Sequence, residues 1–228
     1  NSMNSNKQSA NKILNQLNNH NLNISNLDIS YLKNHNHLLN PVEDRVQGMA
    51  EVLYNISSWF FSKDLYKYSA FFGKISLKFR PDFNAMKLLL SGTFEKLNYE
   101  NLGMKYVNDI DSDNLYYYKF LRIRLSLFEN LEMNDEFISS LQKVLKNYPE
   151  RIELKILLAD KLRRLENFNQ AIEIYSEIID NRNYQPDSNI FYSRGISFER
   201  INNWKRAEKD LIKALELDPE DAYTLNYL

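Results

Sequence analysis

The sequence predicts an all-α protein assembled from repeated antiparallel helix pairs. Two observations carry this reading. Five glycines and five prolines in 228 residues are too few for a turn-rich β architecture. The prolines are also phased. Pro81 and Pro149 lie 68 residues apart, twice 34, and Pro149 and Pro219 lie 70 apart, twice 34 plus two, with Pro186 near the middle. Each ends an apolar-periodic stretch, because proline lacks the N–H that a helix needs and its ring clashes with the preceding turn. A fixed period of this length marks stacked two-helix units.

The elements follow in chain order. Residues 1–45 form an Asn-rich segment, with 13 of the chain's 30 asparagines in the first 40 positions. The helical spacing of Ile13, Leu14 and Leu17, followed by Ile24, Leu27 and Ile29, makes residues 11–40 weakly helical against the alternative of a polar disordered arm. The first repeat, Ala50–Pro81, carries Leu53, Ser57, Phe60, Tyr66, Ser76 and Leu77 in phase. The second, Asn84–Tyr117, keeps Leu90, Ser91 and Phe94, turns at Asn98-Tyr99, and has no closing proline. Tyr118–Arg151 repeats Leu121, Leu125, Phe128, Leu141, Val144 and Pro149, with Phe137 replacing a small residue on the second helix. Ile152–Asp187 has Ala159, Leu162, Phe168, Ala171, Tyr175 and Ile178, and two extra residues within Asn181–Gln185. The last repeat, Ser188–Asp221, is the clearest. Phe191, Gly195 and Phe198 share a face of its first helix, Asn202-Asn203 turns, and Ala207, Leu211, Ala214 and Leu215 line the second helix before Pro219. Small residues at Gly195, Ala207 and Ala214 let the helices approach, with Phe191, Phe198, Trp204 and Leu211 expected to fill the space between repeats. Residues 222–228 start a further helix, a truncated repeat or a cap, in which Leu225 and Leu228 take the apolar positions. Helix-pair boundaries are expected near Asn98, Met133, Asn167 and Asn203.

The pattern of aromatic, glycine and aromatic on a first helix, then Ala, large apolar, Ala and Pro on a second, resembles the tetratricopeptide repeat, and five such units in phase cover residues 50–221. The resemblance implies a right-handed superhelical solenoid of antiparallel helix pairs with a concave groove, since each pair buries its apolar face only against its neighbours. Segments such as AEVLYNISSWF, FRPDF and LDPEDAYTLNYL are also similar to repeat proteins of A/T-rich alphaproteobacteria.

Several chemistries find no support in the residues. The absence of cysteine excludes a disulfide framework, a thiol nucleophile and a Cys-ligated metal. All three histidines, His20, His35 and His37, lie in the Asn-rich segment, so the repeats lack the commonest general bases, and the lone H-x-H lacks further ligands. Gly73-Lys74-Ile75-Ser76 falls inside an expected helix and lacks the upstream glycine of a phosphate loop. The sequon Asn55-Ile56-Ser57 also falls inside a helix, and Asp111/Asp113 and Glu220/Asp221 sit where carboxylates cap turns. No cofactor or metal is expected. A net charge of −1, from 29 basic and 30 acidic residues, offers nothing to nucleic acid or an anionic membrane. No apolar run approaches the ~18 residues of a membrane span, and no signal peptide opens the sequence as given.

What remains is the groove. The resemblance places Tyr54, Arg122, Arg163, Arg164, Tyr192 and Arg200 on its concave wall, with Arg122, Arg163 and Arg164 close together. Aromatic residues and arginine are the side chains on which binding energy concentrates, and arginine grips a carboxylate in a bidentate fork. The Lys/Asn clamp of chaperone-binding members is not reproduced, since Ser126 follows Arg122 by four residues where an asparagine would be needed. The function expected is that of a non-catalytic scaffold binding a protein or peptide in its groove. The alternative is a recognition arm of a larger envelope assembly or enzyme, such as a protease adaptor lipoprotein or a sugar transferase. The expected location is cytoplasmic, with periplasmic or lipoprotein-tethered placement as the alternative.

Overall fold

The computed structural model describes Val42, residues 44–108 and residues 116–227. The histidines of the Asn-rich segment, the weak helix at 11–40, the Asp111/Asp113 pair and Leu228 lie outside these residues. Among the described residues all regular structure is helical: α1 Arg45–Ser62, α2 Tyr66–Phe79, α3 Asn84–Lys96, α4 Glu100–Met104, α5 Tyr117–Asn130, α6 Asn134–Asn147, α7 Ile152–Arg164, α8 Phe168–Ile179, α9 Ser188–Arg200, α10 Trp204–Leu217 and α11 Ala222–Leu225. The chain divides into two compact units, with α1–α5 in the first and α6–α11 in the second, split between Leu131 and Glu132.

The repeat is written into the backbone. Asp64, Asn98, Glu132, Glu166 and Asn202 adopt left-handed φ angles of 56–62°, at successive steps of 34, 34, 34 and 36 residues. Each follows the first helix of a repeat. At four of them the next amide reaches back five residues, Leu65 to the Phe60 carbonyl, Tyr99 to Phe94, Asn167 to Leu162 and Asn203 to Phe198, at 2.8–3.0 Å. The left-handed residue itself donates to the carbonyl three back, as Asn202 does to Glu199. These paired bonds satisfy carbonyls that a helix end would otherwise leave open. The turns fall at or beside the sequence-predicted boundaries, and the two-residue insertion ahead of Pro186 accounts for the step of 36.

Helix crossings repeat in the same phase, between a first-helix residue and one twelve positions later. In the first unit Ser57 Oγ donates to the Ser69 carbonyl at 2.8 Å, and Ser91 Oγ to the Gly103 carbonyl at 3.0 Å. A Cβ on Gly103 would sit 3.0 Å from the Ser91 carbonyl oxygen, so the glycine permits the close backbone approach. In the second unit the corresponding pairs are Ala159/Ala171 and Gly195/Ala207, all fully or almost fully buried. The boundary between units falls inside the Tyr118–Arg151 repeat, the one in which both corresponding sequence positions carry large side chains, Leu125 and Phe137.

In the first unit the core gathers Ala50, Ala70, Phe83, Met86, Leu90 and Phe94, with Tyr54, Leu77 and Tyr106 packed on it. The second unit buries Phe137, Leu141, Leu162, Tyr175, Ile178 and Leu211 among others. Phe137 is offset by Lys161, whose ammonium lies 4.9 Å from its ring centroid. Two features depart from expectation. The second helix of the repeat without a closing proline shrinks to the five residues of α4 and continues as turns to the buried Val107. Trp204, expected between repeats, is 61% exposed at the start of α10. Of α11, Thr224 is buried and Leu225 faces solvent; Asp221 caps the helix by accepting from the Tyr223 and Thr224 amides.

Candidate binding surface

The inner-ridge candidates stand on first helices: Tyr54 on α1 and Arg122 on α5 in the first unit, Arg163 and Arg164 on α7 and Tyr192 and Arg200 on α9 in the second. Each unit is built up separately.

In the first unit Tyr54 is half-buried, its ring 5.3 Å from that of Phe83. Arg80 stacks on the other partner of this contact, 4.9 Å from the Phe83 centroid, and pairs with Glu51 at 3.1 Å. Burial first, then the neighbouring Tyr116 and Glu51, raise the Tyr54 hydroxyl above its ordinary pKa of 10.0. It is therefore a neutral hydrogen-bonding group near pH 7. Arg122 stands exposed on α5. The carboxylate of Glu95 is taken up within the unit, accepting from Ser126 Oγ and from Asn130 Nδ2 at 3.4 Å. Ser126, which stands where a clamp asparagine would be needed, is thus committed to Glu95.

The second unit brings two of the candidates together. Arg163 is half-buried, and its Nε is buried without a hydrogen-bond partner. Its positive charge acts on two phenols at once, Tyr175 of α8 and Tyr192 of α9. Tyr175 is fully buried and donates to Asp160, one helical turn before Arg163 on α7. Burial, followed by the hydrogen bond and negative charge of Asp160, drives the Tyr175 pKa far up, with Arg163 pulling partly the other way. Tyr192 is raised by burial and by Tyr227, Asp221 and Tyr223, and again lowered in part by Arg163. Its ring lies edge-on to Tyr227, with 6.2 Å between centroids. The result is a guanidinium held among protonated phenols, with one buried N–H still to be satisfied. The half-buried guanidinium as a whole, already bonded to Tyr175, is of the type that binds a carboxylate or a backbone carbonyl.

Arg164 is exposed, and Arg200 pairs with its neighbour Glu199, Nε to Oε2 at 3.3 Å. Sequence reading missed Asp160, Tyr175 and Tyr227. The i, i+3 spacing of Asp160 and Arg163 was a usable signal; the other two depend on which helices lie side by side. It also missed Arg194, whose guanidinium pairs with Asp210 of α10 and reaches Ser176 of α8. This cation is already satisfied and works inside the fold.

Gly73–Ser76 lies mid-helix in α2, and the Asn55–Ser57 sequon lies within α1, with Ser57 buried. Among the described residues no cluster of metal-ligating side chains occurs, and no helix is long and apolar enough to cross a membrane.

Turns, crossings and stacked helix pairs define a helical repeat protein with the tetratricopeptide-repeat fold. Solved structures agree. The chain is similar to a MamA protein over 77% of its length and 94% of that chain, at 17% identity and a TM-score of 0.59. It is similar to YrrB, described as a TPR protein with an unusual peptide-binding site, over 81% of its own length and 97% of that chain, at 12% identity and a TM-score of 0.59. A MamA fragment from Desulfovibrio magneticus RS-1 matches over 76% and 97% of the two chains, at 13% identity and a TM-score of 0.59. At these identities the likeness shows the fold. No family model matches the sequence, and no curated protein matches it.

Proposed function

We propose that the chain is a non-catalytic scaffold that binds a protein segment along the inner faces of its first helices. Tyr54 and Arg122 serve the first unit, and Arg163, Arg164, Tyr192 and Arg200 the second. The observation that carries this reading is Arg163, a half-buried guanidinium with Tyr175 and Tyr192 beside it. A hydrogen bond from a charged donor to a ligand oxygen is worth about 1.5–3 kcal/mol, and a carboxylate can accept two from one guanidinium. Arg163 and Tyr192 then form the anchor, and the ligand is an extended or helical segment bearing a carboxylate. YrrB, with its peptide-binding site on the same fold, supports a peptide as the ligand class. Balanced charge favours protein over nucleic acid or lipid.

The test is a peptide library, scanned with the full chain, in which internal and C-terminal carboxylates are amidated one at a time. Arg163→Ala and Tyr192→Ala should each weaken the selected peptide by about 2–4 kcal/mol if these residues are desolvated anchors. Equal binding by wild type and both variants would refute the assignment.

A further inference from the structure

The face that α1 and α2 turn away from the core has no partner among the described residues, although it is built as an interior surface. Met49, Val52, Trp59, Tyr68 and Phe71 are each half or more exposed. The rings run on in contact, Trp59 to Phe60 at 5.0 Å, Phe60 to Phe72 at 5.4 Å, and Phe72 to Phe71 at 5.2 Å. Contiguous apolar surface of this kind marks a docking site.

The repeat itself says what belongs there. One repeat later, the positions of Val52 and Trp59 are held by Met86 and Thr93, both fully buried. Both touch α2, the second helix of the preceding pair. A Cβ on Gly73 would lie 2.6 Å from Met86 Cε, and Thr93 Oγ1 lies 3.2 Å from Ser69 Oγ. In α9 the same two positions, Ile190 and Ser197, are again buried. The piece missing from α1 is therefore a preceding second helix.

The sequence just upstream has the right phase for one. Prolines stand two or three residues ahead of α3, α7, α9 and α11: Pro81 before Asn84, Pro149 before Ile152, Pro186 before Ser188 and Pro219 before Ala222. Pro41 stands four residues ahead of Arg45, where the second helix of an earlier pair would close. Before it, Leu27, Tyr31, Leu32, Leu38 and Leu39 fall at helical spacing. A segment of this length matches the 12–14 residues of α2, α8 and α10.

We propose that residues 27–39 of this chain dock as a helix on the α1/α2 aromatic face, in the place that α2 takes against α3. The N-terminal face of the repeats is then closed by the chain itself, and Trp59 becomes an interior residue. This stands independently of the peptide-binding reading.

The experiment uses the full chain carrying Trp204→Phe, so that Trp59 is the sole tryptophan. Docking predicts blue-shifted emission that acrylamide quenches poorly and that dilution leaves unchanged. Leu32→Asp with Leu38→Asp should shift the emission to the red and raise quenching severalfold, while far-UV circular dichroism shows the other helices retained. A photo-crosslinker at position 52 should then capture residues 27–39 of the same molecule in the monomer fraction. Three results would overturn the proposal. One is Trp59 quenched like a free indole in the unsubstituted segment. Another is protection that dilution removes and the two aspartates do not, which would make a second copy the occupant. The third is crosslinking to any other peptide.

Discussion

Arg194 and Asp210 tie α9 to α10, and removing one of them should cost far more than removing both. Arg194 Nε donates to Asp210 Oδ2 at 2.7 Å and Nη2 to Oδ1 at 2.8 Å, a bidentate fork, while Nη1 donates to Ser176 Oγ on α8 at 3.1 Å. The side chains are only 16% and 5% exposed, and the guanidinium carbon lies 5.7 Å from the Phe198 centroid. Asp210→Ala deletes two of these three hydrogen bonds and leaves a largely buried guanidinium without its counter-charge. Breaking a buried pair from one side costs about 3–5 kcal/mol. With a urea m-value of about 2 kcal/mol/M, the midpoint of the second unit should fall by roughly 1.5–2.5 M. The double variant Arg194→Met/Asp210→Leu removes both charges at similar volume and should recover most of the loss, because its burial no longer carries a desolvation penalty. Urea melts followed by far-UV circular dichroism give all the midpoints needed for the cycle. A loss below about 1 kcal/mol for Asp210→Ala would place the pair among surface ion pairs and refute the reasoning.

Three further outcomes are expected. Ala207→Leu puts a large side chain at the crossing with Gly195, where Ala207 is 1% exposed, and should cost about 1–3 kcal/mol; a melt within a degree of wild type would mean the crossing is loose. Glu166→Gly relieves a left-handed residue at φ 62° and should stabilise the fold by up to about 1 kcal/mol, read as a higher urea midpoint, with a fall in midpoint counting against the turn geometry. Asp221 is held below its usual carboxylate range chiefly by the Thr224 hydroxyl, so the stabilisation of α11 is present above the unfolded value near 3.8 and is lost as pH falls through the lower folded value. Protection factors at Tyr223 and Thr224, taken relative to the intrinsic exchange rate at each pH, should therefore fall in acid, and a protection profile with no pH-linked step would contradict the cap.

The candidate surface was only partly legible from the sequence. Inner-ridge spacing picks out Arg163 and Tyr192, since both lie on first helices at repeat positions. It could not show that Arg200 is engaged by Glu199 or that Ser126 is committed to Glu95. Nor could it show that Tyr175, read as a core residue, lends its hydroxyl to Asp160 beside Arg163. Those outcomes depend on rotation of each helix about its axis and on its neighbours, which spacing within one helix leaves open.

The sequence by itself determined the period, the turn positions and the small residues at the crossings. Each is a short-range requirement: a proline stops a helix, an i, i+3, i+4 stripe defines its buried face, and a residue without bulk is needed wherever two backbones meet. Tertiary structure decided the rest. It set the length of α4, where no proline forces an end, and the exposure of Trp204 at the start of α10. It also joined Arg194 to Asp210 across sixteen residues and aimed Arg163 at two phenols on other helices. The physical reason is common to all four: burial and charge pairing are settled by what lies across from a helix, and a repeating pattern specifies the helix without specifying which of its polar groups will find a partner there.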